Sequence, residues 1–244
     1  MSQDQCFAVI VAAGTGRRMG GPVSKQYMDL CGRPVLAWTI DAFQKSPRIT
    51  GIILVVTPGQ EAYVQLHIVN AYHFSKVRKI CAGGRERYDS VYIGLQAAAG
   101  CDYVFIHDGV RPFVTEEIIE RGYLIAQEYG SAVCGVPSKD TVKIVDTGGC
   151  IEETPLRSRV WNVQTPQIFR YDLIRKAYDR MQDFDRTGIT DDAMILETMG
   201  GSKIRMFTGS YENIKITTPE DFLLAETYIR KLNPATKADE NPGS

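Results

Sequence analysis

The sequence lacks the residues that several common classes of protein require. Among its 244 residues are only three histidines, and the six cysteines include no Cys-x-x-Cys pair. The histidine count excludes a histidine-rich metal centre, and the cysteine spacing favours reduced thiols in a cytoplasmic protein over a zinc site or a disulfide framework. No apolar run reaches the length of a membrane span and no secretory signal is recognisable, so we expect no membrane partner.

A large excess of charge of either sign is also missing. The net charge is −1, which disfavours nucleic-acid binding because such binding normally needs a basic face. The length and the 44% hydrophobic content are those of one large globular domain. We expect this domain to span residues 1–232, and we expect the small, charged, proline-containing tail 233–244 to be disordered.

Residues 9–25 contain a glycine-rich loop that lacks the fingerprints of two nucleotide-binding classes. A dinucleotide fingerprint would have its third glycine at Met19, and the P-loop of ATPases would have its lysine at Pro22. The loop instead predicts a triphosphate clamp, because small residues let backbone N–H groups approach an anion and nearby cations add charge. The predicted nucleotide-binding residues here are Ala12, Ala13, Gly14, Thr15, Gly16, Arg17, Arg18 and Lys25. An ordinary strand-to-helix turn with solvated arginines is the open alternative.

Short apolar runs alternate with helical patterns through most of the chain. The runs have strand length and lie at 7–11, 52–57, 76–81, 103–107 and 132–136. This alternation predicts an α/β fold in which a mostly parallel, twisted sheet lies between two layers of helices, a three-layer, Rossmann-like arrangement.

Residues 138–160 interrupt this alternation. They are polar and contain the turn 147–149, which predicts a protruding β-hairpin. A hairpin with so little apolar surface is marginally stable alone, so we predict a β-arm that packs on a second subunit and forms a dimer. A flexible loop is the alternative.

Two further loops follow strands of the predicted sheet. Ligands of an open parallel sheet bind at the carboxyl ends of its strands, so a loop there should face the same cleft as the opening loop. Gly83 and Gly84 permit close backbone contact with a ring or a phosphate, and Ser90 offers a hydroxyl. Asp108 suits Mg²⁺, which takes few protein ligands, and Arg111 suits a second anion. The alternatives are an ordinary loop for the glycines, a cap for Asp108 and a surface ion pair for Arg111.

Five polar residues elsewhere would make a small pocket for a phosphate and hydroxyls if the fold brought them together. They are Thr141, Arg157, Thr165, Thr190 and Lys215. The sequence does not demonstrate that they converge, and each taken singly favours a structural or solvated role. Thr190 is also the predicted N-cap of a helix that begins at Asp191.

Eight motifs, taken in order from about residue 7 to 232, resemble those of the 2-C-methyl-D-erythritol 4-phosphate cytidylyltransferases. They are Ala12-Ala13-Gly14-x-Gly16-x-Arg18-Met19, Lys25-Gln26-Tyr27, Gly83-Gly84 with Arg87 and Asp89-Ser90-Val91, His107-Asp108 with Arg111-Pro112, Asp140-Thr141, Gln164-Thr165-Pro166-Gln167, Thr190-Asp191 and Asn213-Ile214-Lys215. The resemblance implies a nucleotidyltransferase-type fold and a homodimer joined by the arm. It implies a reaction of CTP with methylerythritol phosphate that gives a CDP-alcohol and pyrophosphate, with Mg²⁺, in non-mevalonate isoprenoid precursor synthesis.

The resemblance also implies roles for the matching residues. The catalytic residues would be Arg18, Lys25, Arg157 and Lys215. The nucleotide would contact the loop 12–18, Lys25, Gly83, Gly84, Arg85, Ser90 and Lys215. The sugar-alcohol phosphate would contact Asp108, Arg111, Thr141, Arg157, Thr165, Thr190 and Lys215, some of them from the partner subunit, and Asp108 would bind the metal. The attacking phosphate oxygen is already ionised near neutral pH, so His107 need not act as a base, and cations would instead offset the repulsion between two polyanions.

Some positions depart from the family's pattern. Val11 stands where proline is frequent, and Gly109-Val110 replaces the usual two alanines. A valine at this position also occurs in the ribitol 5-phosphate cytidylyltransferases, so ribitol 5-phosphate is the alternative acceptor. Those enzymes, however, lack the triplet found here at residues 89–91. A non-catalytic nucleotide-binding regulatory protein is an alternative of another class, but it would be expected to lose Asp108 or the lysines. A sugar-1-phosphate nucleotidyltransferase shares the opening loop, and the motifs at 164–167 and 213–215 argue against it.

Overall fold

The structure is a computed structural model that describes residues 4–14, 24–200 and 203–232. Its strands are β1 Cys6–Ala12, β2 Gly51–Val56, β3 Val77–Ala82, β4 Tyr103–Asp108, β5 Ser131–Pro137, β6 Ile144–Val145, β7 Ile151–Glu153, β8 Trp161–Arg170 and β9 Arg205–Thr208. Its α-helices are α1 Val35–Lys45, α2 Glu61–Val64, α3 Arg87–Ala97, α4 Glu116–Tyr129, α5 Tyr171–Met181, α6 Asp192–Gly200 and α7 Pro219–Leu232. A π-helical segment, Gln65–Asn70, continues α2, and short 3-10 turns lie at Lys25–Tyr27 and Arg157–Arg159.

Seven of these strands form one sheet in the order β3-β2-β1-β4-β8-β5-β9. β1 pairs in parallel with β2 and β4, β2 with β3, and β5 with β9, whereas β8 is antiparallel to both of its neighbours. The prediction of a mostly parallel α/β sheet is therefore confirmed. The sequence analysis did not predict strand β8. Its buried positions include Gln164, Thr165 and Gln167, so the strand is not an apolar run.

Alternate side chains of each central strand face two separate cores. Ala8 and Ile10 of β1 pack in the core that contains Leu36 of α1. Val9, between them, lies in the core on the opposite face with Val91 of α3. All these side chains are fully buried, and burial on both faces is the reason that β1 is continuously apolar. Helices α1, α2 and α4 thus cover one face, and α3, α5 and α6 cover the other.

A third, smaller core joins the last helix to the end of β4. Val110 and Phe113, which follow β4, pack with Ile216 and with Ile229 of α7. The N–H of Ile216 also donates to the carbonyl of Val110 over 2.9 Å. This core fixes the segment that carries Lys215 beside Asp108.

The predicted hairpin region contains the antiparallel pair β6 and β7. Asp146 closes its turn, because its side chain accepts hydrogen bonds from the N–H groups of Gly148 and Cys150 at 2.9 and 2.8 Å. Every residue from 143 to 154 is exposed, including Ile144 and Ile151. Its role in dimerisation stays a prediction. No helix in the described part of the chain is both long and apolar enough to cross a membrane.

Candidate active site

A cavity of about 350 Å³ lies at the carboxyl ends of β1 and β4. The chain runs outward from β1 to β2 and β3 and then returns to the other side of β1 with β4, so the loops that follow β1 and β4 diverge and leave a crevice between them. The described residues that line it are Val11, Ala12, Ala13, Gly14, Lys25, Gln26, Gly84, Arg85, Glu86, Arg87, Ser90, Asp108, Val110 and Lys215. The structure therefore brings together the opening loop, the second glycine loop, Asp108 and Lys215.

The opening loop is described only in part. Ala12, Ala13, Gly14 and Lys25 line the cavity, as the sequence analysis expected of a triphosphate-binding loop. The predicted residues Thr15, Gly16, Arg17 and Arg18 lie outside the described residues. Gln26 also lines the cavity, although the sequence analysis gave it no role.

The second glycine loop is shaped by close packing. A Cβ atom at Gly83 would clash with the Cβ of Ala13 and lie 3.0 Å from the Ser90 hydroxyl, and one at Gly84 would clash with Asp89. The Ser90 hydroxyl donates to the carbonyl of Glu86 and accepts from the N–H of Gly84, both over 3.1 Å. Gly83 is thus required because the two loops touch, and Gly84 because the chain folds back against Asp89. The Ser90 hydroxyl, which we predict to bind the nucleotide, is already hydrogen-bonded to the backbone of its own loop.

Asp108 lies at the centre of a cluster of cations. Its carboxylate is 3.2 Å from the guanidinium of Arg87, 3.3 Å from that of Arg111 and 3.1 Å from the ammonium of Lys215. Burial alone would raise the pKa of this carboxyl, but the three cations outweigh it and hold the pKa well below its usual range. Asp108 is therefore ionised throughout the physiological range, and it holds Lys215 at the edge of the cavity.

This arrangement does not fit the prediction that Asp108 binds Mg²⁺. Magnesium needs few protein ligands, and one carboxylate with water and phosphate oxygens would serve, but here both oxygens of that carboxylate already contact positive side chains. Within 4–14, 24–200 and 203–232, no group of three or more His, Cys, Asp and Glu residues is placed to hold a metal ion. A divalent cation at Asp108 would compete with Lys215 and the two arginines for the carboxylate.

Arg87 connects Asp108 to helix α6. Its two terminal nitrogens lie 3.0 and 2.8 Å from the two carboxylate oxygens of Asp192, and the Tyr178 hydroxyl donates to the same carboxylate over 2.6 Å. Burial disfavours the charge of Arg87, but Asp192 and Asp108 more than offset this effect and raise its pKa. The paired buried charges fix the position of α6 relative to the second glycine loop. The sequence analysis noted Arg87 within a motif but could not identify partners that are 21 and 105 residues away.

His107 supports Asp108 from behind and is neutral. Its Nε2 is 3.0 Å from the carbonyl of Arg111, and a carbonyl can only accept, so Nε2 carries the proton. Nδ1 then accepts from the Thr165 hydroxyl at 3.1 Å, and that hydroxyl accepts from the N–H of Asp108, also at 3.1 Å. Burial lowers the pKa of His107 to about 4. His107 and Thr165 therefore fix the backbone of Asp108, in line with the expectation that His107 need not be catalytic.

Arg111 positions the segment that carries Lys215. Besides Asp108, it contacts the carbonyl of Asn213 over 2.9 Å. The Asn213 side chain in turn donates to the carbonyl of Thr165 over 2.9 Å, and Gln164 donates to the carbonyl of Ser210 over 2.7 Å. Arg111 and Thr165, both predicted to contact the acceptor, are thus mostly buried behind the cavity and bound to other protein groups. Their contact with substrate stays a prediction.

The prediction that Thr190 caps helix α6 is wrong by one residue. Asp191 is the cap, because its carboxylate accepts from the N–H of Met194 over 2.9 Å. Gln167 of β8 secures this cap by donating to Asp191 over 2.8 Å and accepting from the N–H of Ala193 over 2.8 Å. Thr190 itself is exposed just before the helix, and its hydroxyl donates to the sulfur of Met194 over 3.9 Å.

Two predicted residues, Thr141 and Arg157, lie in the arm. Both are exposed, and neither is among the described residues that line the cavity of its own chain. The guanidinium of Arg157 lies 3.5 Å from the carbonyl of Lys139, which is also in the arm. Their contact with the acceptor stays a prediction.

A mostly parallel sheet with a cavity at its switch point, lined by two glycine loops and two lysines, is the arrangement of an α/β protein that binds a nucleotide or another phosphate compound. A profile of the 2-C-methyl-D-erythritol 4-phosphate cytidylyltransferase family matches residues 6–231. A protein of that name from Geobacter metallireducens is 47% identical over 232 residues, which cover 93% of this chain and 99% of the relative. Another from Clostridium acetobutylicum is 48% identical over 226 residues, with coverage of 92% and 97%.

Solved structures agree with this similarity. The crystal structure of 4-diphosphocytidyl-2C-methyl-D-erythritol synthase from Anaerococcus prevotii superposes with a TM-score of 0.83 at 34% identity, covering 93% of this chain and 97% of the other. That of the cytidylyltransferase from Francisella tularensis superposes with a TM-score of 0.77 at 29% identity, covering 91% and 99%. The chain belongs to the 2-C-methyl-D-erythritol 4-phosphate cytidylyltransferase family, and it is a nucleotidyltransferase.

The hydrogen bonds of Thr165 predict that its hydroxyl is needed for stability. Thr165→Val keeps the shape but leaves the Asp108 N–H and His107 Nδ1 without a partner, so we expect the free energy of unfolding to fall by about 2 kcal/mol or more. Thr165→Ser keeps the hydroxyl and loses only a methyl group, which costs about 1 kcal/mol. Urea unfolding followed by tryptophan fluorescence at one protein concentration measures both. A Val variant as stable as the wild type, with a raised KM for the acceptor, would show that the hydroxyl acts on the ligand instead.

Proposed function

We propose that the cavity between β1 and β4 is where CMP is transferred from CTP to 2-C-methyl-D-erythritol 4-phosphate, with release of pyrophosphate. The observation that carries this proposal is the placing of Lys25, Lys215 and the two glycine loops around one crevice. Glycine loops at strand ends suit a nucleotide and its phosphates, and the lysines suit the charge that develops during phosphoryl transfer.

The reaction needs cations more than it needs a base. The attacking oxygen belongs to a phosphate that is ionised near neutral pH, so the barrier arises from repulsion between two polyanions and from charge on the leaving pyrophosphate. Lys25 and Lys215 line the cavity. The motif that contains Arg18 adds this arginine to the cations proposed to act on the phosphates. His107 is neutral, buried and hydrogen-bonded through both ring nitrogens, which supports a mechanism without a histidine base.

The acceptor is proposed to bind toward Asp108, Arg111 and Thr190. Arg157 and Thr141 would be supplied by the arm of a partner subunit, because both are exposed on the arm. The Mg²⁺ requirement implied by the resemblance stays a prediction, as does a cytoplasmic location, which the six free cysteines support.

The reaction is tested by pyrophosphate release from CTP with Mg²⁺. We expect release with 2-C-methyl-D-erythritol 4-phosphate and at most slow release with ribitol 5-phosphate, with the CDP-alcohol identified by mass spectrometry. A parallel series with EDTA tests the need for a divalent cation. Equal rates with both acceptors would favour the ribitol-type activity, and release with neither acceptor would remove the transferase assignment.

Lys25 is expected to be the lysine on which the chemical step depends. Replacing Lys25 by Ala removes a preorganised charge at the cavity, so we expect kcat to fall about a hundredfold or more. Lys45→Ala is the matched control, because Lys45 is exposed at the end of α1 and pairs with Asp41. It should turn over at the wild-type rate. A near-normal kcat for the Lys25 variant would exclude this lysine from the mechanism.

We further propose that the arm joins two copies of the chain. The hairpin strands have only two and three residues, so they cannot form a core of their own. Yet Ile144, Val145, Ile151 and Leu156 are 44 to 70% exposed. Apolar side chains grouped on a weak hairpin are expected to be covered by another surface, and a second copy also explains how Arg157 could reach a cavity.

Charging the arm should separate the subunits. We expect Leu156→Asp to shift the protein from dimer to monomer in sedimentation velocity, because a carboxylate would be buried in the interface. Leu223→Asp is the control, since Leu223 is 64% exposed on α7, outside the arm. A wild-type chain that sediments as a monomer at assay concentration would contradict the proposal.

Mixed dimers test the crossing of Arg157 in the same system. In a dimer of Lys25→Ala and Arg157→Ala subunits, a crossing arm leaves one cavity with both residues intact. Activity should then reappear when the two inactive proteins are combined. If Arg157 served its own subunit, both cavities would stay defective.

A further inference from the structure

Gln26 is a buried glutamine beside the opening loop, and it has no assigned role in the proposed reaction. It lies in the 3-10 turn Lys25–Tyr27, directly after the predicted catalytic lysine, and it is 1% exposed although it lines the cavity. Its amide nitrogen is 2.9 Å from the carbonyl oxygen of Ala12 and 3.0 Å from that of Gly14. The side chain thus bridges the two carbonyls on either side of Ala13.

The chemistry of the contacts fixes the orientation of the amide. Both partners are carbonyl oxygens, which only accept, so the Gln26 amide must present its two N–H donors to them. In a planar trans peptide, the C=O and the N–H point in opposite directions. Since the carbonyl of Ala12 points toward Gln26, the N–H of Ala13 in the same peptide points away from it. Gln26 therefore determines which way a peptide of the glycine loop faces.

The direction of this peptide matters for a polyanion. Carbonyl oxygens are the negative ends of peptide dipoles, and those turned toward a phosphate would repel it. Peptide N–H groups turned toward the phosphate attract it. The loop that begins after Ala12, the last residue of β1, has only small side chains at Ala13 and Gly14, and glycine is conformationally permissive. A donor pair that holds the carbonyls is thus a direct means of keeping the loop in its anion-binding form.

We propose that Gln26 is a positioning residue for the triphosphate of the nucleotide. It touches no reacting atom. It acts by holding the carbonyls of residues 12 and 14 so that the loop is ready for the anion before CTP arrives. The inference rests on the proposed function, because the anion it concerns is the triphosphate of CTP.

The test compares nucleotides that differ only in phosphate number. Gln26→Met keeps the length of the side chain, adds no charge and removes both donors. By calorimetry at constant ionic strength, we expect its affinity for CTP to fall at least tenfold, that for CMP to fall less, and that for cytidine to stay within twofold of wild type. In turnover, the KM for CTP should rise while the KM for the acceptor changes little.

Two further variants keep the result interpretable. Gln26→Asn retains an amide but is one methylene too short to bridge both carbonyls, so it should show the same loss and serves if the Met variant does not fold. Gln44→Met is the matched control. Gln44 lies on α1, where it bonds to Ser75 and to the N–H of Lys76, so the variant should bind all nucleotides like wild type.

Specific outcomes overturn the inference. A folded Gln26 variant that binds CTP within twofold of wild type would show that the bridge is dispensable. An equal loss of affinity for CTP and cytidine would show a general structural role. If the wild-type protein binds CTP but releases no pyrophosphate with any acceptor, the proposed reaction fails, while the comparison of CTP with cytidine still decides the role of Gln26.

Discussion

The site depends on the ion pairs that the carboxylate of Asp108 forms with three cations. Asp108 is 6% exposed, and a carboxylate so placed is stable only because three cations surround it. Each cation comes from a different part of the chain: Arg87 starts α3, Arg111 follows β4 and Lys215 precedes α7. The charge that one aspartate requires therefore determines where three otherwise independent segments meet.

Strand β8 supplies the second constraint, because among the described strands of the seven-stranded sheet it alone runs antiparallel to both of its neighbours, β4 and β5. Its buried polar side chains form hydrogen bonds with three separate segments of the chain. Gln164 bonds to the segment before Lys215, Thr165 to His107 and Asp108, and Gln167 to the start of α6. These polar groups are buried and hydrogen-bonded, so the loss of one leaves its partners unsatisfied. The strand thus holds the segments that bring Asp108 and Lys215 to the cavity.

Local patterns predicted what depends on neighbours in sequence. Apolar runs located the parallel strands, and Gly83-Gly84 and His107-Asp108 marked loops at their carboxyl ends, where the topology opens a crevice. Pairings over long separations left no such signal. The bridge from Gln26 to residues 12 and 14 and the contact of Arg87 with Asp192 depend on how loops fold over one another, and β8 is hidden because hydrogen bonds rather than apolar side chains satisfy its buried positions. Even Ser90 and Thr165, which the motifs selected, have hydroxyls bound within the protein.

The cluster also sets the electrostatic state of the cavity before a nucleotide enters. Three cations, Arg87, Arg111 and Lys215, face two carboxylates, Asp108 and Asp192, so three positive charges minus two negative charges leave one positive charge. A group of three unpaired cations would be costly to bury, whereas their pairing with the two carboxylates stabilises Lys215 at the cavity in the absence of a ligand. In the proposed reaction, Lys215 would be shared between Asp108 and an incoming phosphate, so its pairing with Asp108 would reduce its attraction for substrate in the ground state. In that role Lys215 would act mainly as charge develops on the bridging and leaving oxygens, and interactions that strengthen toward the transition state are those that raise kcat.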